Sequence, residues 1–150
     1  MKKLILLTLL IFLDFFSKYI VVTNIFQNQF IKINEYLDIV YVKNFGVSFG
    51  LFSNIVPFWV LVIIGIMIIL FIFYLMIKSD KKLEKLSYFI ILAGAISNIS
   101  DRAINGYVID FVSLHYNNFY WPAFNLADIY ITVGIIMLLS SFFIKSEKYK

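Results

Sequence analysis

Four long apolar runs constrain this chain more than any other feature. They lie near Leu4–Val22, Pro57–Ile77, Leu86–Ile104 and Asn125–Ile144. A hydrocarbon core of roughly 30 Å needs about 20 such residues of helix to cross it. The composition agrees: 62% of the 150 residues are hydrophobic and 15% charged, against about half and about a quarter in a soluble domain. The expected fold is an all-α integral membrane protein with four transmembrane helices. It forms one membrane-embedded domain over residues 1–150, with no room for a separate soluble unit. Met1-Lys2-Lys3 followed by Leu4 to Leu13 resembles a signal peptide, but no A-x-A site follows and the run continues past Asp14 and Lys18. It reads as an uncleaved first span.

Basic residues orient the spans. Lys2, Lys3, Lys78, Lys81, Lys82, Lys85, Lys145, Lys148 and Lys150 flank the runs on one side, which is nine of the 13 basic residues. Only Lys32 and Lys43 fall on the other side. The positive-inside rule puts both termini and the 78–85 turn in the cytoplasm, and 23–56 and 105–124 outside. The same distribution argues against nucleic acid as the reason for the net charge of +4. With no cysteine and a single histidine, His115, there are no thiolate nucleophiles, disulfides, cysteine metal sites or histidine ligand clusters. No metal or cofactor is expected.

Polar residues are sparse and unevenly placed. Span one carries Asp14 and Lys18, four residues apart and so on one helix face. Asn24 to Ile33 mixes Phe26, Phe30 and Ile31 with amides, which suits a surface-lying stretch. Glu35 to Lys43 is rich in strand-forming residues, and Asn44-Phe45-Gly46-Val47-Ser48-Phe49-Gly50 reads as a turn in a small outer sheet or a close backbone approach. Span two has no charge before Lys78; Trp59 and Tyr74 near its ends fit interfacial belts. Span three begins clean and becomes polar at Ser97-Asn98-Ile99-Ser100-Asp101-Arg102, after the small residues Ala93-Gly94-Ala95 that permit close helix packing. An aromatic loop holding His115 follows. Span four opens with Asn125 and Asp128, one turn apart.

Helix rise gives these groups a depth. At about 1.5 Å per residue, Lys18 lies roughly 22 Å from Lys3, Asn98 roughly 20 Å and Arg102 roughly 25 Å from Lys85, and Asp128 roughly 25 Å from Lys145; Asp14 lies at roughly 16 Å. Three spans therefore send polar groups to nearly one level in the outer leaflet, and Asp110 can fold back to it. Charged groups at membrane depth are costly and mark function by default. Two close carboxylates in a low-dielectric site share one proton. That state suits hydrolysis, because the ionised member takes a proton from water while the protonated one donates to a carbonyl.

These residues also carry a resemblance. Asp14-x-x-x-Lys18, Asn44-x-Gly46-x-x-Phe49, Asn98-x-x-Asp101-Arg102-x-x-x-Gly106-x-Val108-x-Asp110-Phe111 and Phe124-Asn125-x-Ala127-Asp128 resemble, in order and spacing, the lipoprotein signal peptidases (signal peptidase II). The resemblance spans the whole chain. It implies an aspartic endopeptidase of the bacterial cytoplasmic (inner) membrane. Such an enzyme removes signal peptides from prolipoproteins, cleaving before the diacylglyceryl-modified cysteine. It also implies Asp110 and Asp128 as the catalytic pair, with Asp14, Lys18, Asn44, Gly46, Asn98, Asp101, Arg102 and Asn125 binding or supporting. It further implies a monomer acting beside membrane lipid, and a small extracytoplasmic β-cradle with an interfacial helix. Ser17, Ser48, Ser97 and Ala93 replace residues more usual in that pattern, all small for small.

The residues by themselves leave other readings open. A small transporter or channel would suit the Asp14–Lys18 pair, though such sites usually lie near the midplane. A serine–lysine protease could use Lys18 as base for Ser48 or Ser100. A structural subunit could use the polar layer to bind helices together. The topology is open to direct measurement: a fluorescent reporter fused after Lys150 should fold in the cytoplasm, and a cysteine placed at Asn118 should react with an impermeant thiol reagent added outside intact spheroplasts.

Overall fold

The computed structural model describes residues 2–27, 29–46 and 55–147. The chain runs α1 (Lys2–Asn24), β1 (Phe30–Lys32), β2 (Leu37–Asn44), α2 (Phe58–Lys78), α3 (Lys82–Asn105), β3 (Val108–Tyr116), β4 (Phe119–Tyr120) and α4 (Leu126–Glu147). The four helices coincide with the four expected spans, each within a few residues. Three of them are long and apolar enough to cross a membrane: Leu4–Asn24, Phe58–Lys78 and Leu126–Phe143.

α3 is the exception, and its position gives the reason. It packs against each of the other three helices, and its buried residues include Ser87, Ser97, Asp101 and Arg102 beside Ile91, Leu92, Ala93 and Gly94. Neighbouring helices shield it, so its sequence can carry polar groups that a lipid-facing helix cannot. α2 is the converse. Only Leu61 and Gly65 are buried on it, and Ile64, Met67, Ile68, Phe71 and Tyr74 point away from the protein, where lipid can cover them.

Two glycines set the α3–α4 distance. A Cβ on Gly94 would run into the Ala127 backbone oxygen and Ile131, and one on Gly134 would meet Ile91 and the Ser87 backbone oxygen. Each helix thus offers a glycine to the other's backbone, a close approach that any side chain would block.

The small β-cradle expected beside the helices is present. Its four strands form one antiparallel sheet in the order β1-β2-β3-β4. β2 was legible in the sequence. β3 lies where an aromatic loop was expected, because a carboxylate at Asp110 interrupts an otherwise β-branched and aromatic alternation. Phe30–Lys32, within the expected surface stretch, forms the exposed edge strand β1. No helix occurs among the described residues between α1 and α2. Ser48, Phe49 and Gly50 of the Asn44 motif lie outside the described residues.

β2 and β3 pair from Leu37↔Leu114 to Asn44↔Val108, with a bulge between Ile39 and Val42. One face, carrying Tyr41, Ile109 and Phe111, packs on Val21 and Ile25 at the end of α1. At the far end His115, assigned no role from sequence, lies 3.2 Å from the Asp38 carboxylate and stacks on Tyr120, tying β2, β3 and β4 together. After β4 the chain doubles back: Phe124 bonds reciprocally with Val112, at 2.8 and 3.0 Å, and α4 starts directly beside β3. Gly94→Ala should overpack the α3–α4 contact and lower unfolding stability in detergent by about 1–3 kcal/mol, measured by thermal or denaturant unfolding against wild type.

Candidate active site

Two helix ends and one strand build the site, and each is shaped by its own local chemistry. α3 stops at Gly106, which takes a left-handed conformation at φ 81° and donates its N–H to the Arg102 carbonyl at 2.9 Å, a glycine C-cap. The chain turns sharply into β3, where the Ile109 N–H donates to Asp101 Oδ2 at 3.0 Å. Asp101 so fixes the backbone one residue before Asp110. Asn105 also donates to Asp101, at 2.6 Å. Sequence reading passed over Asn105, although its i+4 spacing from Asp101 was visible.

α4 begins with a reciprocal cap. The Asp128 N–H donates to Asn125 Oδ1 at 3.0 Å, and the Asn125 N–H donates to Asp128 Oδ2 at 3.1 Å, the capping-box arrangement with Asn and Asp in its two roles. A second carboxylate serves this helix end from α1: Asp14 Oδ1 accepts the Ala127 N–H at 2.9 Å. Nothing in the sequence pointed to that bond, since the partners are 113 residues apart.

The two predicted catalytic carboxylates meet here, each held by amides. Asp110 accepts from Asn44 Nδ2 at 2.9 Å and from Asn125 Nδ2 at 2.7 Å. Asp128 accepts from Asn98 Nδ2 at 2.8 Å besides the Asn125 backbone. Asn125 therefore touches both, and it is fully buried. Asp110 is buried as well, outside the membrane-spanning helices. Burial, with the nearby Asp128 charge, pushes its carboxyl up to about 7, against the opposing pull of Asn44, Asn125 and Lys18.

Lys18 sits behind this pair. Its ammonium lies 2.8 Å from Asp14 Oδ2, 3.3 Å from Asp101 Oδ2 and 3.2 Å from Asn98 Oδ1. The ammonium thus donates to one amide oxygen and is flanked by two carboxylates. By facing the Asn98 oxygen, Lys18 turns that side chain's NH2 toward Asp128. The expected Asp14–Lys18 pair is thus real, but it is half of a larger junction of α1, α3 and α4. Arg102 bonds the Gly46 carbonyl, while the Gly46 N–H donates to Asn44 Oδ1 at 3.0 Å, so the glycine reads as a turn that Arg102 holds down. Every predicted site residue lies in this cluster.

A family model for signal peptidase (SPase) II matches residues 6–144. The chain belongs to the signal peptidase II family. Its similarity to individual relatives runs nearly end to end. The lipoprotein signal peptidase of Francisella tularensis subsp. novicida (strain U112) is 35% identical over 153 residues, covering 99% of this chain and 95% of that protein. That of Thermodesulfovibrio yellowstonii is 36% identical, with 92% of each covered, and that of Dichelobacter nodosus is 39% identical over 84% of this chain and 83% of its own length. Two solved bacterial membrane enzymes have the same fold. One has a TM-score of 0.89 and 24% identity, covering 99% of this chain and 92% of that one; the other has 0.82 and 25%, covering 94% and 92%. The chain is a multi-pass membrane protein, as the family and its three apolar helices require.

Within this signal peptidase II fold, the Lys18 junction makes a stability prediction. Lys18→Met leaves Asp14 and Asp101 buried without their cation and should cost about 3–5 kcal/mol of unfolding free energy. Denaturant unfolding in detergent measures it, and a loss below about 1 kcal/mol would contradict the junction's role.

Proposed function

We propose that this chain removes the signal peptide from diacylglyceryl-modified prolipoproteins as an aspartic endopeptidase, cleaving just before the lipidated cysteine. Family membership supports the substrate class. The observation that carries the mechanism is the Asp110–Asp128 pair, joined through Asn125, with Asp110 pushed up to about 7. Such a dyad holds one proton between its members near neutrality and is described jointly.

The chemistry follows from that proton. A water between the carboxylates loses a proton to the ionised member as its oxygen attacks the scissile carbonyl carbon. The protonated member donates to the carbonyl oxygen, giving a tetrahedral diol. The C–N bond then breaks, the carboxyl that took the water's proton passes it to the leaving amine, and the diol returns its proton as the new acid forms. The four amide contacts keep both carboxylates aimed at one point, so little reorganisation is needed at the moment of reaction. Asn98, Asn125 and Asn44 orient the pair, Lys18 and Asp14 act through Asn98 and the start of α4, and Asp101 sets the β3 backbone. The Arg102 Nε is buried without a hydrogen-bond partner among the described residues, which leaves a donor for a substrate carbonyl near Gly46.

The same reading orders the molecule in its membrane as a single peptidase domain over residues 1–150. α3 is the fourth span, wrapped by the other three, and both termini lie in the cytoplasm. The site opens at the outer leaflet of the bacterial inner membrane, where a substrate anchored by its lipid arrives by lateral diffusion. The interfacial role expected of a helix falls to the exposed apolar rim of the sheet, including Phe30, Ile31, Tyr116, Phe119 and Trp121, whose aromatic rings favour the headgroup layer. One chain contains every residue of the dyad network, which supports a working monomer.

Asp110→Asn and Asp128→Asn, each still folded, should lose more than about a hundredfold in cleavage of a diacylglyceryl prolipoprotein, while Ser48→Ala and Ser100→Ala keep most of it. Either aspartate variant cleaving at the wild-type rate would sink the mechanism. A second measurement uses pH. Above about 7 the pair loses its shared proton, so wild-type cleavage should decline as pH rises through that value. It should also decline in acid, where the second carboxylate takes up a proton and no base remains. A rate that stays level from neutral to alkaline pH would contradict the shared-proton state.

A further inference from the structure

Lys43 stands apart from the chemistry just described. It neighbours Asn44 on β2 and pairs across the sheet with Ile109, next to Asp110. Successive side chains on a strand face opposite sides, so Lys43 lies on the face of Tyr41 and away from Asn44. Its ammonium is 4.9 Å from the Tyr107 ring centroid and 5.8 Å from that of Tyr41. Phe45 packs against Tyr107 from the side, with centroids 5.5 Å apart.

This arrangement holds a cation without neutralising it. Aromatic faces attract an ammonium through their quadrupole, but they carry no charge. Burial and the Tyr107 hydroxyl push the Tyr41 phenol up to about 12, so that ring stays neutral. Among the described residues the ion pairs belong to Lys18, Lys81 and His115, and Lys43 is in none of them. The box sits where the sheet meets the end of α1, beside Val21 and Ile25. A helix of 23 residues reaches from one headgroup layer to the other at about 1.5 Å per residue. Lys43 is therefore a half-buried cation, fixed in direction, at the level of lipid phosphates, with no ion-pair partner among the described residues.

We infer that the Lys43–Tyr41–Tyr107 box binds the phosphate of a phospholipid headgroup, on the sheet face opposite Asn44 and Asp110. The inference rests on the proposed reading in placing this face at the outer leaflet. A lysine binds phosphate as a point charge, and the rings hold the side chain in place, so less freedom is lost when the phosphate arrives.

The test counts bound lipid by native mass spectrometry of the full chain in detergent, titrated with phosphatidylglycerol and, separately, with a phosphate-free galactolipid. Wild type and Lys43→Arg should each retain about one more phosphatidylglycerol than Lys43→Gln, with no such difference for the galactolipid. Equal phosphatidylglycerol retention in Lys43→Gln, or a galactolipid held in the same Lys43-dependent way, overturns the site. Displacement of the lipid by excess inorganic phosphate makes it a site for free phosphate and overturns the lipid assignment. No substrate is present, so lipid retention can fail while the peptidase reading stands, or hold while that reading falls.

Discussion

A single buried ammonium holds this molecule together. Lys18, 2% exposed, lies where α1, α3 and α4 meet and faces Asp14, Asp101 and Asn98 at once. Removing such a charge from water is expensive, and only a full set of partners offsets it. Those partners are what the fold delivers. Asp14 also caps α4 through Ala127, and Asp101 also receives the first bond of β3 through Ile109. The two elements that carry Asp128 and Asp110 are therefore each tied to the same cation through one carboxylate. Close helix packing at Gly94 and Gly134 is the steric counterpart, since the polar junction closes only if α3 and α4 come nearly into backbone contact.

The site divides labour between charge and amide. Asp14 and Asp101 lie against the Lys18 ammonium. Asp110 and Asp128 are held by amides instead, and burial, with the nearby Asp128 charge, pushes the Asp110 carboxyl up to about 7. Amides can orient a carboxylate without fixing it in the ionised state as strongly as an ammonium would. The cation stands one residue behind, on the oxygen of Asn98, whose NH2 in turn holds Asp128.

Much of the architecture could be read from the chain. The helices follow from apolar runs, and the common level of Lys18, Asn98, Arg102 and Asp128 follows from helix rise alone. The sheet was only half visible. β2 shows itself through Tyr36, Ile39, Val40, Tyr41 and Val42, but β3 was hidden because Asp110 breaks its apolar alternation, and because a two-residue strand such as β4 has no period to detect. α3 was legible as a long helix yet is too polar to count as a span by apolarity, since the other helices pack around Ser97, Asp101 and Arg102. The capping box at Asn125 and Asp128 is a local pattern, and its spacing was noticed, while its cross-links to Asp14 and Asn98 were not visible.

What the sequence determined by itself is therefore local or one-dimensional: which segments are apolar enough to be helices, how far along each the polar groups lie, and which motifs they form. Only the tertiary structure decided which polar group faces which. Asp14 reaching Ala127, Lys18 turning the amide of Asn98, and Asn44 reaching Asp110 across 66 residues depend on helix rotation and strand register. Those are set by where glycines permit approach and where a buried charge finds its partners. The physical reason is that periodicity constrains a residue's face and depth on its own element, whereas a hydrogen bond needs the relative placement of two elements to within a fraction of an ångström. That placement is a property of packing, which no single stretch of sequence contains.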